Sequence, residues 1–249
     1  MLVVVWAGGW WLFALAALVA LVALHEFYGM ARPLRPLVPA GYIGAVLALV
    51  GERAGGVQWM LGGFFATYAL AFLLKGLAET RASATASVSA TVMGAGWVSL
   101  GLGHLMLIRD IPAHAVLATF AVLLAVWAND TFAYFGGRLL GRHKLAPTTS
   151  PGKTWEGFVA GTIACVFVTF VAFYEDQDFM PVWQALVLGG VIALAGPVGD
   201  LFESALKRDM QVKDTGRILG AHGGMLDRVD AVLFASVASF YTLLAFGVT

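Results

Sequence analysis

The sequence predicts an all-α fold: a polytopic integral membrane bundle of about eight transmembrane helices, with polar loops gathered on one side. Three observations carry this. Of the 249 residues, 60% are hydrophobic and 12% charged, whereas soluble domains run at about 45–50% and about 25%. The apolar residues fall into runs that approach the roughly 20 residues a helix needs to cross a bilayer. The basic residues, finally, are distributed unevenly between alternate loops.

The first run covers residues 2–24. It has no basic leader and no small-residue cleavage site, so it reads as a retained span, not a signal peptide. The second, 37–50, is short; it is either re-entrant or extends back through Pro36. The third is 57–74. The fourth, 86–108, carries Gly94, Gly96, Gly101 and Gly103, small residues that let membrane helices approach closely. The fifth, 112–135, opens at Pro112 and bears Asn129 and Asp130 near its far end. The sixth and seventh, 157–174 and 181–199, flank the acidic stretch Glu175-Asp176-Gln177-Asp178, and the eighth is 229–248. The chain reads as a single integral membrane domain, 1–249, with lipid-facing N-terminal helices in 1–110 and the chemistry-bearing helices and loops in 111–249.

Placing the N-terminus outside puts thirteen Lys and Arg residues in the inner segments 25–36, 75–85, 136–156 and 200–228, and leaves only Arg53 and Arg109 outside. This strong positive-inside bias sets both long polar loops on the cytoplasmic face of the inner membrane. Fifteen basic residues balance fifteen acidic ones, which gives no electrostatic case for nucleic acid. Cys165, the single cysteine, excludes an intrachain disulfide and any multi-cysteine metal site.

Three polar constellations stand out. Trp127-Ala-Asn129-Asp130 leads to Gly137-Arg138, with Asp130 about 9–12 Å from the loop by helical rise. An acid at that depth marks a functional site, or else pairs with Arg138 or Lys144 to hold helices together. Ser150-Pro-Gly-Lys153-Thr154 offers a turn, two hydroxyls and a lysine suited to phosphate, just before a helix start. No glycine stands five places before Gly152, so the P-loop pattern is not met; an ordinary basic loop gives the same composition. The third stretch, residues 204–230, holds nine charged side chains. If helical, Asp200, Glu203 and Lys207 share a face. Lys213-Asp214 follow, then His222-Gly223-Gly224 and Asp227-Arg228-Val-Asp230. The glycines permit a sharp turn and a close backbone approach to a ligand. Asp227 and Asp230, three apart, point the same way. Oxygen-only donors of this kind suit Mg²⁺ held together with substrate phosphates, and a second cation is compatible. The alternative is a solvated loop laced with ion pairs. His222 has no partner at ligand spacing and is a poor zinc candidate.

These residues carry a resemblance. Ser204 through Asp230 is similar to the signature of phosphatidate cytidylyltransferases, the CDP-diacylglycerol synthases: S-x-x-K-R-x(4)-K-D, a spacer, then P-x-H-G-G-x-x-D-R-x-D. Trp127–Arg138 and Ser150-Pro-x-Lys153-Thr154-x-Glu156-Gly157 resemble the same family, so the likeness covers about 120–235. Gly220 replaces the family's proline, and Gly152 a basic or polar residue. The family also commonly has a further basic segment and span ahead of the helix ending near Glu26.

The resemblance implies an Mg²⁺-dependent nucleotidyltransferase acting on CTP and phosphatidate among membrane lipids, releasing pyrophosphate; a homodimer is compatible with it. On this reading Asp214, Asp227 and Asp230 form the metal-binding core, with Asp200 and Asp130 in reserve. Lys207, Arg208, Lys213, Lys153 and Arg228 hold phosphates. Ser204, Ser150, Thr154, His222 and the Gly223–Gly224 backbone orient the substrates. Two other readings remain at this stage. One is a CTP-dependent enzyme on another lipid phosphate or lipid alcohol, such as an isoprenoid-ether cytidylyltransferase or a lipid kinase. The other is a transporter, which would place its charges at the bilayer midplane.

Overall fold

A computed structural model describes residues 2–77, 83–216 and 223–248. Eight α-helices account for most of these: α1 (Leu2–Ala7), α2 (Gly9–Met30), α3 (Val38–Leu77), α4 (Ala84–Arg109), α5 (Ala115–Leu140), α6 (Trp155–Phe173), α7 (Val182–Asp209) and α8 (Leu226–Ala245). Among the described residues, seven of these helices are long and apolar enough to cross a membrane. The eighth expected crossing is concealed within α3. A straight 40-residue helix would be about 60 Å long, twice the roughly 30 Å hydrocarbon core. Gly55 and Gly56 break it instead, and Gly56 takes the positive φ of 66° that favours glycine.

The two halves of α3 then run back along each other. Gly51 packs against the Trp59 carbonyl, Gly63 against the Leu47 carbonyl, and Gly44 against Thr67. These pairs are all centred near residue 55, which defines an antiparallel helical hairpin. The expected span at 37–50 is the first arm of this hairpin. It starts at Val38, one residue past the loop, and runs to the glycine break.

The chain divides into two compact units. The first comprises Met1–Leu107 and Asp209–Val229; the second comprises Ile108–Arg208 and Asp230–Thr249. In the first unit, Phe27, Leu24, Leu49 and Met60 are fully buried. Three contacts fix the turn between α2 and α3 onto α4. Ser87 Oγ donates to the Leu34 carbonyl (3.2 Å), Leu37 N–H donates to Thr91 Oγ1 (2.7 Å), and Tyr28 OH donates to the Thr91 carbonyl (2.7 Å).

In the second unit, α5 and α6 meet along a seam of small residues. Gly157 lies against the Ala133 carbonyl and 3.1 Å from Gly137 Cα, as measured from where its own Cβ would stand; Gly161 lies against Asn129 and Ala133. This is a GxxxG face, which lets backbones approach where side chains would hold them apart. A short antiparallel hairpin, β1 (Lys144–Ala146) with β2 (Ser150–Thr154), joins the two helices. The sequence reading expected only a loop and a helix start there. Outward-facing residues such as Trp10, Phe72 and Phe167 are more than half exposed, as lipid-facing side chains are.

Candidate active site

In the second unit, the last turns of α7 carry Asp200, Glu203, Ser204 and Lys207 at i, i+3, i+4 and i+7, so all four share one helix face. Ser204 Oγ donates to Asp200 Oδ1 at 3.3 Å, and Lys207 Nζ lies 3.4 Å from Glu203 Oε2. Lys153, from β2, reaches in with Nζ 2.7 Å from Asp200 Oδ2 and donates to the Pro197 carbonyl at 3.5 Å. Arg208 Nε donates to the Thr149 carbonyl at 3.4 Å, so the end of α7 is tied to the hairpin. The expected shared face of Asp200, Glu203 and Lys207 is present, and the Ser150–Thr154 motif contributes its lysine to that face.

The hairpin owes its rigidity to Glu156 and Thr154. The Glu156 carboxylate accepts from the Arg142 and His143 backbone N–H groups (3.1 and 3.2 Å) and is 2.6 Å from His143 Nδ1. Thr154 Oγ1 caps α6, accepting from Gly157 N–H at 3.1 Å. The hydroxyl assigned from sequence to a substrate is thus already engaged by a helix end. Ser150 pairs with Ala146 in the hairpin.

Above this face α7 carries Pro197 within the helix. Proline has no N–H, so the carbonyl of Ala193, four residues back, loses its helical donor. Asn129 of α5 supplies one: its Nδ2 donates to Ala193 O at 3.4 Å, and Asn129 itself is 1% exposed. Within a membrane a freed carbonyl must find such a partner. Sequence reading noted Asn129 without a role; an amide and a proline on two different apolar spans were the signal.

Asp130, the next residue, is near enough to Asp230, Asp200 and Lys153 for their charges to act on it. Asp230 is in turn near enough to Glu203, Asp200 and Lys207 to interact with them. Four acids thus face two lysines. Two carboxyl groups in contact require a proton or a cation between them. Among the described residues, no three His, Cys, Asp or Glu side chains form a cage able to hold a metal alone. Mg²⁺ rarely uses one, since it binds through one or two carboxylates plus phosphates and water. This oxygen-only, acid-rich set therefore fits Mg²⁺ arriving with a phosphate ligand.

The signature's remaining residues belong to the first unit. Asp227 Oδ2 accepts from Thr215 N–H (3.3 Å), Thr215 Oγ1 (2.9 Å) and Gly224 N–H (2.9 Å). The buried Glu26, on α2, accepts from Leu226 N–H at 2.9 Å with Oε2 and neighbours Thr215 Oγ1 at 3.5 Å. An acid 200 positions away in sequence thus closes the start of α8, where a negative charge complements the helix dipole. Gly223 has φ 80°, as a sharp turn requires. A Cβ on Gly224 would lie 2.7 Å from Glu26 Oε2 and 3.0 Å from Asp227 Oδ2. The close approach expected at this glycine is therefore to the protein's own carboxylates. Lys213, Asp214 and Arg228 are exposed. His222 lies outside the described residues. Glu26 and Thr215 escaped the sequence reading, because neither stands in a charged run.

These features define a polytopic helical membrane protein with a charged helix face at the end of a proline-containing span. The chain matches the model of the cytidylyltransferase family over residues 1–246, and it belongs to that family. Among curated proteins it is similar to the phosphatidate cytidylyltransferase of Staphylococcus haemolyticus, with 41% identity over 143 residues, or 57% of this chain and 54% of that protein. Those of Staphylococcus saprophyticus (42%) and Staphylococcus aureus strain COL (41%) match over the same lengths. The chain spans about half the length of the curated relatives it matches.

Proposed function

We propose that the protein is a phosphatidate cytidylyltransferase of the inner membrane, working on its cytoplasmic side. The observation that carries this reading is the α7 face, where Asp200, Glu203, Ser204 and Lys207 meet Lys153. Family membership and the named relatives support it.

In this reaction a phosphate oxygen of phosphatidate attacks the α-phosphorus of CTP. The new P–O bond joins lipid and cytidylyl group, while the bond to the β-phosphate breaks and its electron pair leaves with pyrophosphate. The attacking oxygen is already an anion, so no serine, cysteine or strong base is needed. The difficulty is that two polyanions must be brought together, and charge must be stabilised on the departing pyrophosphate. Lys153, Lys207 and Arg208 supply positive charge for that task, and Lys213 and Arg228 are assigned to further phosphate contacts. Ser204, held by Asp200, offers its hydroxyl to orient a phosphate.

Asp200, Asp230 and Asp130 would hold Mg²⁺, which when bound neutralises phosphate charge. Asp227 Oδ2 holds Thr215 and Gly224 together, so its part in the reaction is to fix those two positions.

The test is incubation of purified protein in micelles with CTP, Mg²⁺ and phosphatidate. Pyrophosphate release together with a CDP-lipid supports the reading. Release only with an isoprenoid-ether phosphate would move the substrate class, and no release with any lipid phosphate would overturn it.

A further inference from the structure

A cavity of about 250 Å³ lies in the first unit between the end of α2 and the start of α3. His25, Gly29, Arg32, Arg35, Pro36 and Tyr42 line it. None of these takes part in the chemistry described above. Neither guanidinium forms an ion pair among the described residues. Arg35 adopts φ 53°, ψ 58°, a left-handed conformation that costs a non-glycine residue free energy. The strain is sustained because both ends of the turn are fixed: Ser87 holds the Leu34 carbonyl and Thr91 holds the Leu37 N–H. His25 Nδ1 and Tyr42 OH share a hydrogen bond of 3.1 Å across the opening.

A preformed hollow with two unpaired arginines, an imidazole and a phenol is suited to an anion with several terminal oxygens. Arginine forks bind phosphate in two-point fashion. The volume falls below the about 300–1,000 Å³ typical of whole small-molecule ligands, so it suits a headgroup and not an entire lipid. Two membrane-length helices, α2 and α3, end and begin at this cavity, which puts it at the level where lipid headgroups lie. We propose that it is a binding site for the phosphomonoester headgroup of a membrane lipid. A phosphomonoester carries close to two negative charges, which matches two guanidinium groups better than a singly charged phosphodiester does. The proposal does not depend on the transfer reaction.

The test is equilibrium binding, read by native mass spectrometry on full-length protein in phosphatidylcholine nanodiscs, without CTP or divalent cation. Added phosphatidate should bind, and phosphatidylglycerol should bind more weakly. The double substitution Arg32→Gln/Arg35→Gln should weaken phosphatidate binding about tenfold or more, with thermal unfolding unchanged. Arg32→Lys/Arg35→Lys, which keeps charge without the fork, should recover part of the affinity. The loss caused by Arg32→Gln/Arg35→Gln should be the same size in a Lys207→Ala background, which separates this site from the proposed reaction. Unchanged binding in the glutamine variant would overturn the proposal, as would a lysine variant that binds no better than the glutamine one. Inorganic phosphate or CTP displacing the lipid at equal concentration would assign the cavity to a soluble phosphate and overturn the lipid assignment.

Discussion

Lys153 sits 2.7 Å from Asp200 and also reaches the Pro197 carbonyl, so its charge is positioned before any substrate arrives. Removing it leaves an acid-rich face without one of its two lysines. Lys153→Ala should lower kcat/KM by about a hundredfold or more, the range seen when a preorganised charge is removed from a transition state. Steady-state pyrophosphate release checks this, with thermal unfolding in detergent as the control. Retention of near-parental kcat/KM would show Lys153 to be only a strut for the hairpin. Asp227 presents the opposite case. Its Oδ2 gathers three donors from Thr215 and Gly224. Thr215→Val removes one of them and should destabilise the fold by about 1–2 kcal/mol, measured as a lower midpoint in thermal unfolding. Sequence spacing identified Asp227 as important but not why, because its partners lie in a stretch with no periodic pattern. Glu26 was less legible still: its partners are about 200 positions away, and nothing local in an apolar helix announces them.

At the scale of elements, the joint between α5, α6 and α7 combines a proline within a helix with a small-residue seam. Asn129 satisfies the carbonyl that Pro197 leaves open, and Gly161 lets α6 approach Asn129. Asn129→Ala should therefore cost about 1–3 kcal/mol, the penalty of an unmade buried hydrogen bond. In a Pro197→Ala background the helical N–H returns to Ala193, and the same substitution should cost distinctly less. A double-mutant cycle by detergent unfolding reads the difference; equal costs in both backgrounds would break the link between the proline and the amide. The spans themselves were legible from hydropathy, but the glycine break that joins the second and third into the α3 hairpin was not. Nor was the β1–β2 hairpin. Its strands are three and five residues long, and they are held by Glu156 and the backbone of Arg142 and His143, not by an alternating apolar pattern.

Across the whole molecule, counting the two arms of α3 separately gives eight long apolar helical segments among the described residues, and the thirteen-to-two bias of basic residues predicts their orientation. Lys144 should then face the cytoplasm and Asp178 the outside. In a Cys165→Ala background, a membrane-impermeant thiol reagent applied to intact cells should label Asp178→Cys and spare Lys144→Cys; the reverse pattern would invert the topology. The charged chemistry of this chain is concentrated on one end of α7 and on the residues that reach it, and the proposed reaction rests on that face. The most direct measurement compares pyrophosphate release by the parent and by Asp200→Asn, both purified in micelles with CTP, Mg²⁺ and phosphatidate. The parent should turn over, and the variant should fall by about a hundredfold or more with its unfolding midpoint unchanged. Equal release from both would contradict the assignment of the α7 face as the site of reaction.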